Sequence, residues 1–571
     1  MIEQRINNLR KILNQHKFAG YIVPTTDEYL SEYTPEYAKR LEYITGFTGS
    51  NGLAIILNNT VLFFTDGRYL NQCSKQLDSS LFEVFDLQFL KTFNWSKYID
   101  SEATIAYDPR LFTAQSLQNF SNTQLHAHPK NLIDIVWEDQ PERPKSDIFD
   151  YPIKYAGEDY KQKIEKCRQV LKLNKAQALV ITDSASVCWL LNIRAHDVEF
   201  SPLLLANIIL TEEQVYLFVD KNRANESLQK RATMLSEENF PSIIADLHGT
   251  ILFDESHASS YISSLIKSKE YKHIKNPCSL WKACKNDAEI KYMHDGHIQD
   301  AVAVCEMLNL IEQEDIKALS EYDLGKQLTA LRANGDGYMF DSFPTICGYQ
   351  SNGAIIHYKA DQGSAKKITG DGLLLIDSGG QYMGATTDIT RTISIGNPLP
   401  EHKKYYTKVL KGHIALACSV FPKNKITGAH LDILARQHLW KHGDDYAHGT
   451  GHGVGSFLSV HEGPQNISPA GFGTILCKGM VVSNEPGYYV PEKFGIRIEN
   501  MMYVADANAP DFLRFQMLTL VPYDKNLIEI DMLTKDEVEY LQAYYLSIEE
   551  KILPLLSKKA QTWLKDQISF H

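Results

Sequence analysis

One pattern, met twice in the first 300 residues, constrains the fold more than any other feature of the chain. An apolar strand ends in Thr-Asp, a helical stretch follows, and a strand pair closes on an aspartate: GYIVPTTDEYL with AIILNNTVLFFTDGRY, then ALVITDSASVCWLLNI with NIILTEEQVYLFVDKNR. Order and spacing agree as well as residue type, so a duplicated α/β domain is expected. A helix over Glu3 to His16 precedes the first copy. At 571 residues the chain is longer than one hydrophobic core usually organises. The polar, proline-bearing PERPKSD closes the first copy, giving expected domains at residues 1–146, 147–290 and 291–571. The third is introduced by WKACKNDAEIKYMHDGHIQDAVAVCEMLNLIEQ, apolar at helical spacing, and continues with strands such as GLLLIDSGG and RTISIG in two similar halves. Its last stretch, LQAYYLSIEEKILPLLSKKAQTWLKDQ, reads as a helical tail that packs or dimerises.

The net charge of -12 is spread without acidic or basic blocks, which argues against nucleic acid and membrane partners. The segment MIEQRINNLRKILNQHKFAG lacks the apolar core of a signal peptide, and no apolar run approaches the roughly 20 residues that cross a bilayer. Nine cysteines stand singly, without CxxC pairs, as expected for buried or surface thiols in a reducing cytoplasm.

The chemistry concentrates in the third segment. Asp377 ends the apolar run LLLID, where a lone carboxylate is costly unless it is paired or bound to a cation. Asp388, eleven residues on in TTDITRT, is placed beside it if the two stretches form a hairpin. Two like charges at close range then require either a shared proton or a divalent cation. HGTGHGVG follows, with His448 and His452 four apart among glycines that favour a loop, and only one of the two need bind metal. Glu485 in SNEPGYY and Glu499 in FGIRIEN are acids flanked by apolar strand residues. Arg497, two residues before Glu499 and on its face if the stretch is a strand, is expected to orient a neighbouring carboxylate.

Taken in order, IDSGGQY, TTDITRT, HGTGHGVGSFLSVHEGP, SNEPGYY and GIRIEN resemble the aminopeptidase P branch of the pita-bread metallopeptidases, which also holds prolidase, methionine aminopeptidase and creatinase. The resemblance extends to NGAIIHY, VPTTDEYLSEY, TDGRY and LTLVP, hence to nearly the whole chain. It implies the long form: two related N-terminal α/β domains before a pita-bread catalytic domain, in a cytoplasmic homodimer. It implies further that Asp377, Asp388, His452, Glu485 and Glu499 hold two divalent ions per subunit, bridged by carboxylates and a water or hydroxide. Mn²⁺ suits this hard, oxygen-rich set best, with Co²⁺ or Zn²⁺ as alternatives. The implied substrates are peptides with proline second, whose scissile bond is a tertiary amide without an N–H. Glu485 is then the expected proton carrier, and His357, His448 and His461 with Arg497 complete the catalytic group. His357, His448, His452, His461, Glu485, Tyr489 and, from an N-terminal domain, Arg68 would contact substrate, with Tyr488 as a second candidate for an apolar wall. Two other readings stay open at this point: a prolidase acting on X-Pro dipeptides, and a non-catalytic protein-binding module on the same fold.

Overall fold

Side chains alternating between two buried faces build the N-terminal sheet. In the computed structural model, which describes residues 1–313 and 316–569, strand Gly20–Pro24 sends Tyr21 and Val23 to one face and Ile22 to the other. On the first face these pack with Ile6, Leu9 and Leu13 of the helix Ile2–His16. On the second, Ile22, Ile55 and Leu62 meet an aromatic cluster that includes Trp95 and Phe120. The period of two thus gives the sheet two cores, one per face.

The six strands run Phe82–Asp86, Val61–Thr65, Leu53–Leu57, Gly20–Pro24, Thr104–Tyr107, Gln124–Ala127. The middle pairings are antiparallel and the outer ones parallel. A second six-stranded sheet has the same plan: Thr233–Leu235, Val215–Phe218, Asn207–Thr211, Ala178–Ile181, Ile251–Phe253, Tyr271–His273. Its pairings follow the same order of parallel and antiparallel senses as the first. The duplication read from the two Thr-Asp motifs is therefore a duplication of topology.

Both sheets belong to one unit, Met1–Tyr151 with Glu158–Cys278; the other comprises Pro152–Gly157 and the chain from Ser279 onward. The short excursion Pro152–Gly157 has a local cause. Asn286 Nδ2 donates to Ala156 O at 2.9 Å, and Gly157, at φ 68°, lies so close to the Asn286 amide that a Cβ would meet it at 2.1 Å.

In the second unit, three strands pair antiparallel in the order Ile346–Tyr349, Gly372–Ser378, Ile389–Ile395, with the middle one buried throughout. A four-stranded sheet places Val420–Pro422, Phe512–Met517, Asn500–Asp506 and Val481–Asn484 side by side. The tail resolves into helices Lys535–Lys551 and Lys558–Ile568. Leu541, Tyr544, Ile548, Trp563 and Leu564 enter the same core as Ile376 and Ile389, and Trp563 Nε1 donates to Glu312 Oε2 at 2.7 Å. The tail thus packs against its own chain, while its Leu546 and Leu555 stay exposed.

Candidate metal centre

Register places the acids in pairs. Along strands Gly372–Ser378 and Ile389–Ile395, Asp377 faces Thr390 and Ser378 faces Ile389, so Asp388, one residue before the second strand, emerges at the same end as Asp377. The other sheet repeats the device. Asn484 faces Asn500, so Glu485 leaves one strand where Glu499 enters the next. The Glu499 N–H donates to Thr390 O at 3.1 Å and joins the two strand ends. Strand Phe494–Arg497 ends two residues before Glu499, and the two side chains still meet at one hydroxyl: Arg497 Nε donates to Thr390 Oγ1 at 3.2 Å, and Thr390 Oγ1 donates to Glu499 Oε2 at 2.7 Å.

His452 arrives from the glycine-rich segment, which is a loop with a two-residue strand, Gly451–His452. A Cβ on Gly451 would lie 2.0 Å from Ser483 O, so only glycine lets this backbone pass along strand Val481–Asn484. The His452 N–H donates to Ser483 Oγ at 2.9 Å, and the Glu485 N–H to Thr450 O at 2.8 Å.

Three overlapping groups result, each with ligand atoms within 4.8 Å of one another: Asp377, Asp388 and Glu499; His452, Glu485 and Glu499; Asp388, His452 and His461. His452 Nε2 lies 3.4 Å from Asp388 Oδ2 and 3.5 Å from Glu485 Oε1. Its Nδ1 lies 3.0 Å from Gly453 O, a pairing that puts the proton on Nδ1 and leaves Nε2 as a ligand atom. The His461 ring sits edge-on to it with centroids 4.3 Å apart. His461, expected in the substrate shell only, is thus also within ligand reach.

The remaining candidates form a rim. Arg497 Nη2 donates to Asp377 Oδ2 at 2.6 Å and Nη1 to Tyr489 Oη at 2.7 Å, while Tyr489 Oη lies 2.8 Å from His448 Nε2. Tyr489 is therefore a polar link and not a bare apolar wall. Tyr488 stacks flat on Tyr405, centroids 3.9 Å apart. His357 occupies the turn after Gln350–Ala354, next to Ile356, whose carbonyl accepts from Arg497 Nη2 at 3.4 Å. Arg68 lies in the N-terminal unit, where it grips Asp66 through Nε and Nη2 at 2.8 and 2.7 Å.

Without a cation the cluster is electrostatically unfavourable. Burial first, then the neighbouring Asp388 charge, pushes Asp377 up to about 7 despite Arg497. Burial, and next the charges of Asp388 and Glu485, holds Glu499 well above the usual carboxylate range. Burial raises Glu485 as well. Burial opposes a charge on His452, but Asp388 and Glu485 outweigh it and lift the imidazole to about 9. Asp377 Oδ1 and Asp388 Oδ1 are buried with no hydrogen-bond partner. Orphaned acceptors among four carboxylates and an imidazole fit divalent cations, which supply the missing partners and cancel the repulsion.

Comparison with known proteins identifies the framework. Metallopeptidase family M24 matches residues 291–506, and the C-terminal region of that peptidase matches 511–570. The creatinase/prolidase N-terminal domain matches twice, at 5–135 and 139–289. Xaa-Pro aminopeptidase 1 of Dictyostelium discoideum is 36% identical, with 99% of this chain and 96% of that protein covered. The chain belongs to metallopeptidase family M24. Aminopeptidase P2 of Arabidopsis thaliana is 35% identical over 99% of this chain and 88% of its own. The crystal structure of X-prolyl aminopeptidase from Caenorhabditis elegans, described as a cytosolic enzyme with a di-nuclear active site, superimposes with a TM-score of 0.94. It is 29% identical, and 100% of this chain and 99% of that one are covered. Prolidase from Pyrococcus horikoshii matches 63% of this chain and 99% of its own, with a TM-score of 0.52 and 26% identity.

Within this M24 framework, supporting residues appear that sequence reasoning passed over. Thr390 Oγ1 donates to Glu499 Oε2 at 2.7 Å, and Ser483 Oγ to Glu485 Oε1 at 3.2 Å. Beneath the histidine loop, Arg436 donates to Tyr446 O and His448 O at 2.8 and 2.6 Å, and its partner Asp432 accepts from Thr450 Oγ1 at 2.5 Å. The i, i+4 spacing of Asp432 and Arg436 in LDILAR was the available signal, since a charge pair on a buried helix face needs something to hold.

Proposed function

We propose that this chain is an Xaa-Pro aminopeptidase that removes the N-terminal residue from peptides with proline second, using two divalent cations held by Asp377, Asp388, His452, Glu485 and Glu499. One observation carries the reading: buried, unpartnered carboxylate oxygens converge with the His452 imidazole, in a chain similar to Xaa-Pro aminopeptidases from end to end. The bound cations supply an activated water and polarise the scissile carbonyl. Mn²⁺ is the proposed ion, because four carboxylates and one imidazole are a hard donor set.

The chain's own residues do the rest. Arg497 holds Asp377 by Oδ2 and leaves Oδ1 to the cation site, as Thr390 does for Glu499 through Oε2. Ser483 fixes Glu485 Oε1, so Glu485 Oε2, 4.0 Å from His448 Nδ1, is the atom proposed to pass the proton to the leaving amine. His357, His448 and His461 hydrogen-bond the peptide and its developing oxyanion, and Tyr489 and Arg497 set the His448 ring. Domains at 1–146, 147–290 and 291–571, a homodimer and a cytoplasmic location complete the proposal. Among the described residues no helix is long and apolar enough to cross a membrane.

The test is a panel of X-Pro-peptides and X-Pro dipeptides given to metal-stripped protein reloaded with Mn²⁺, Co²⁺ or Zn²⁺, beside Asp388→Ala. Cleavage of the longer peptides, restored best by Mn²⁺ and lost in Asp388→Ala, is expected. Exclusive dipeptide cleavage makes the chain a prolidase, and absence of both metal and turnover leaves the binding module.

A further inference from the structure

A buried carboxylate outside the acidic cluster organises the loop that carries His357. Glu321, the first residue of helix Glu321–Ala333, has no solvent exposure. Its two oxygens accept five hydrogen bonds, all from neutral donors. Oε1 takes Tyr349 N at 2.7 Å and Asn352 Nδ2 at 3.0 Å. Oε2 takes Asn352 Nδ2 at 3.0 Å, Tyr358 Oη at 2.8 Å and Lys366 N at 2.7 Å. Burying a carboxylate is costly, and this one is compensated by hydrogen bonds alone.

The donors explain what the cost achieves. Tyr349 ends strand Ile346–Tyr349, which pairs with the strand of Asp377; Asn352 and Tyr358 bracket His357; Lys366 is where the segment returns to the helix. The Glu321 N–H donates back to Lys366 O at 2.9 Å, so both ends of residues 349–366 are tied to one helix terminus. On the other side the loop abuts strand Phe494–Arg497: a Cβ on Gly495 would meet Gly353 O at 1.8 Å, and Ile356 O accepts from Arg497. His357 is therefore suspended between the Glu321 hub and the strand that orients Asp377.

We propose that Glu321 is a positioning residue for the reaction, setting His357 against the substrate through Asn352 and Tyr358. The proposal rests on His357 belonging to the substrate shell. Glu321→Gln keeps the volume but turns an amide NH₂ toward a ring of donors, so part of the hub must open.

The experiment compares Glu321→Gln, Tyr358→Phe, His357→Ala and Glu321→Gln/His357→Ala for kcat, KM, metal content and thermal midpoint, with an X-Pro-peptide and Mn²⁺-loaded protein. Glu321→Gln is expected to lower kcat by about 10- to 100-fold while metal content stays at the wild-type value, as for a residue that orients a functional group without touching it. Tyr358→Phe, which deletes one donor and keeps the carboxylate, should lower kcat by a smaller factor and keeps the test open if the first variant does not fold. In the His357→Ala background Glu321→Gln should cost less than about twofold, because the two act as one unit. A purely structural role would lower the midpoint and leave kcat alone, or add its full cost to that of His357→Ala; either result overturns the proposal, as does a loss of metal from Glu321→Gln. A His357→Ala enzyme as active as wild type fails earlier, at the reading of His357 itself.

Discussion

Glu499→Gln should make the cation-free protein more stable while abolishing its function. The ordinary carboxyl value for this residue is 4.5, and burial with three neighbouring acids holds it well above that in the cation-free fold. Above pH 4.5 the unfolded chain releases this proton and the folded chain keeps it. The folded state then binds more protons, so stability falls as pH rises, and the penalty vanishes below the unfolded value. Each pH unit above 4.5 through which the folded chain keeps this proton costs ~1.36 kcal/mol, so two such units already give about 3 kcal/mol. The substitution removes that penalty and keeps the Thr390 bond, since the glutamine carbonyl accepts at the same place. For a unit of this size, about 3 kcal/mol corresponds to a rise of ~6 °C in thermal midpoint. The assay is thermal unfolding in chelator from pH 4.5 to pH 8, with and without added Mn²⁺. The variant should melt above wild type at pH 7, converge with it toward pH 4.5, and lose the Mn²⁺-induced rise that wild type shows. A chelated variant melting at or below wild type at pH 7 refutes the claim that the acids repel one another across an empty cluster.

Other outcomes follow from the same geometry. Thr390→Val removes the donor to Glu499 Oε2 and should weaken cation affinity about tenfold by titration calorimetry, with ~1 kcal/mol lost in stability; unchanged affinity would mean that Glu499 is oriented by its backbone alone. Trp563→Ala empties a site in the catalytic core and breaks the bond to Glu312, so denaturant unfolding should register a loss of ~3–5 kcal/mol; wild-type stability would show that the tail is an accessory.

How much of this was readable from the chain depends on the kind of interaction. The duplicated sheets were legible because a strand-turn-helix plan repeats in local order, and local order survives in sequence. Each acid was legible alone, since Asp377 or Glu485 in an apolar strand demands a partner. Their pairing was not, because it depends on registers, Asp377 opposite Thr390 and Asn484 opposite Asn500, which join residues far apart in the chain. The strand break after Arg497 was hidden for a related reason. GIRIEN alternates like one strand, yet Arg497 ends a strand paired with Gly487–Val490 while Asn500 begins one paired with Val481–Asn484, a change of partner that residue type does not encode. Least visible of all were the neutral supports. A threonine or serine carries no charge that betrays its partner, and Glu321 at a helix start reads as an ordinary first-turn acid favoured by the helix dipole. Only its full burial, with four donor groups and no cationic side chain among them, separates it from that bland role. In a metal site the ligands are thus recoverable from residue type, whereas the groups that aim them are recoverable only from the fold.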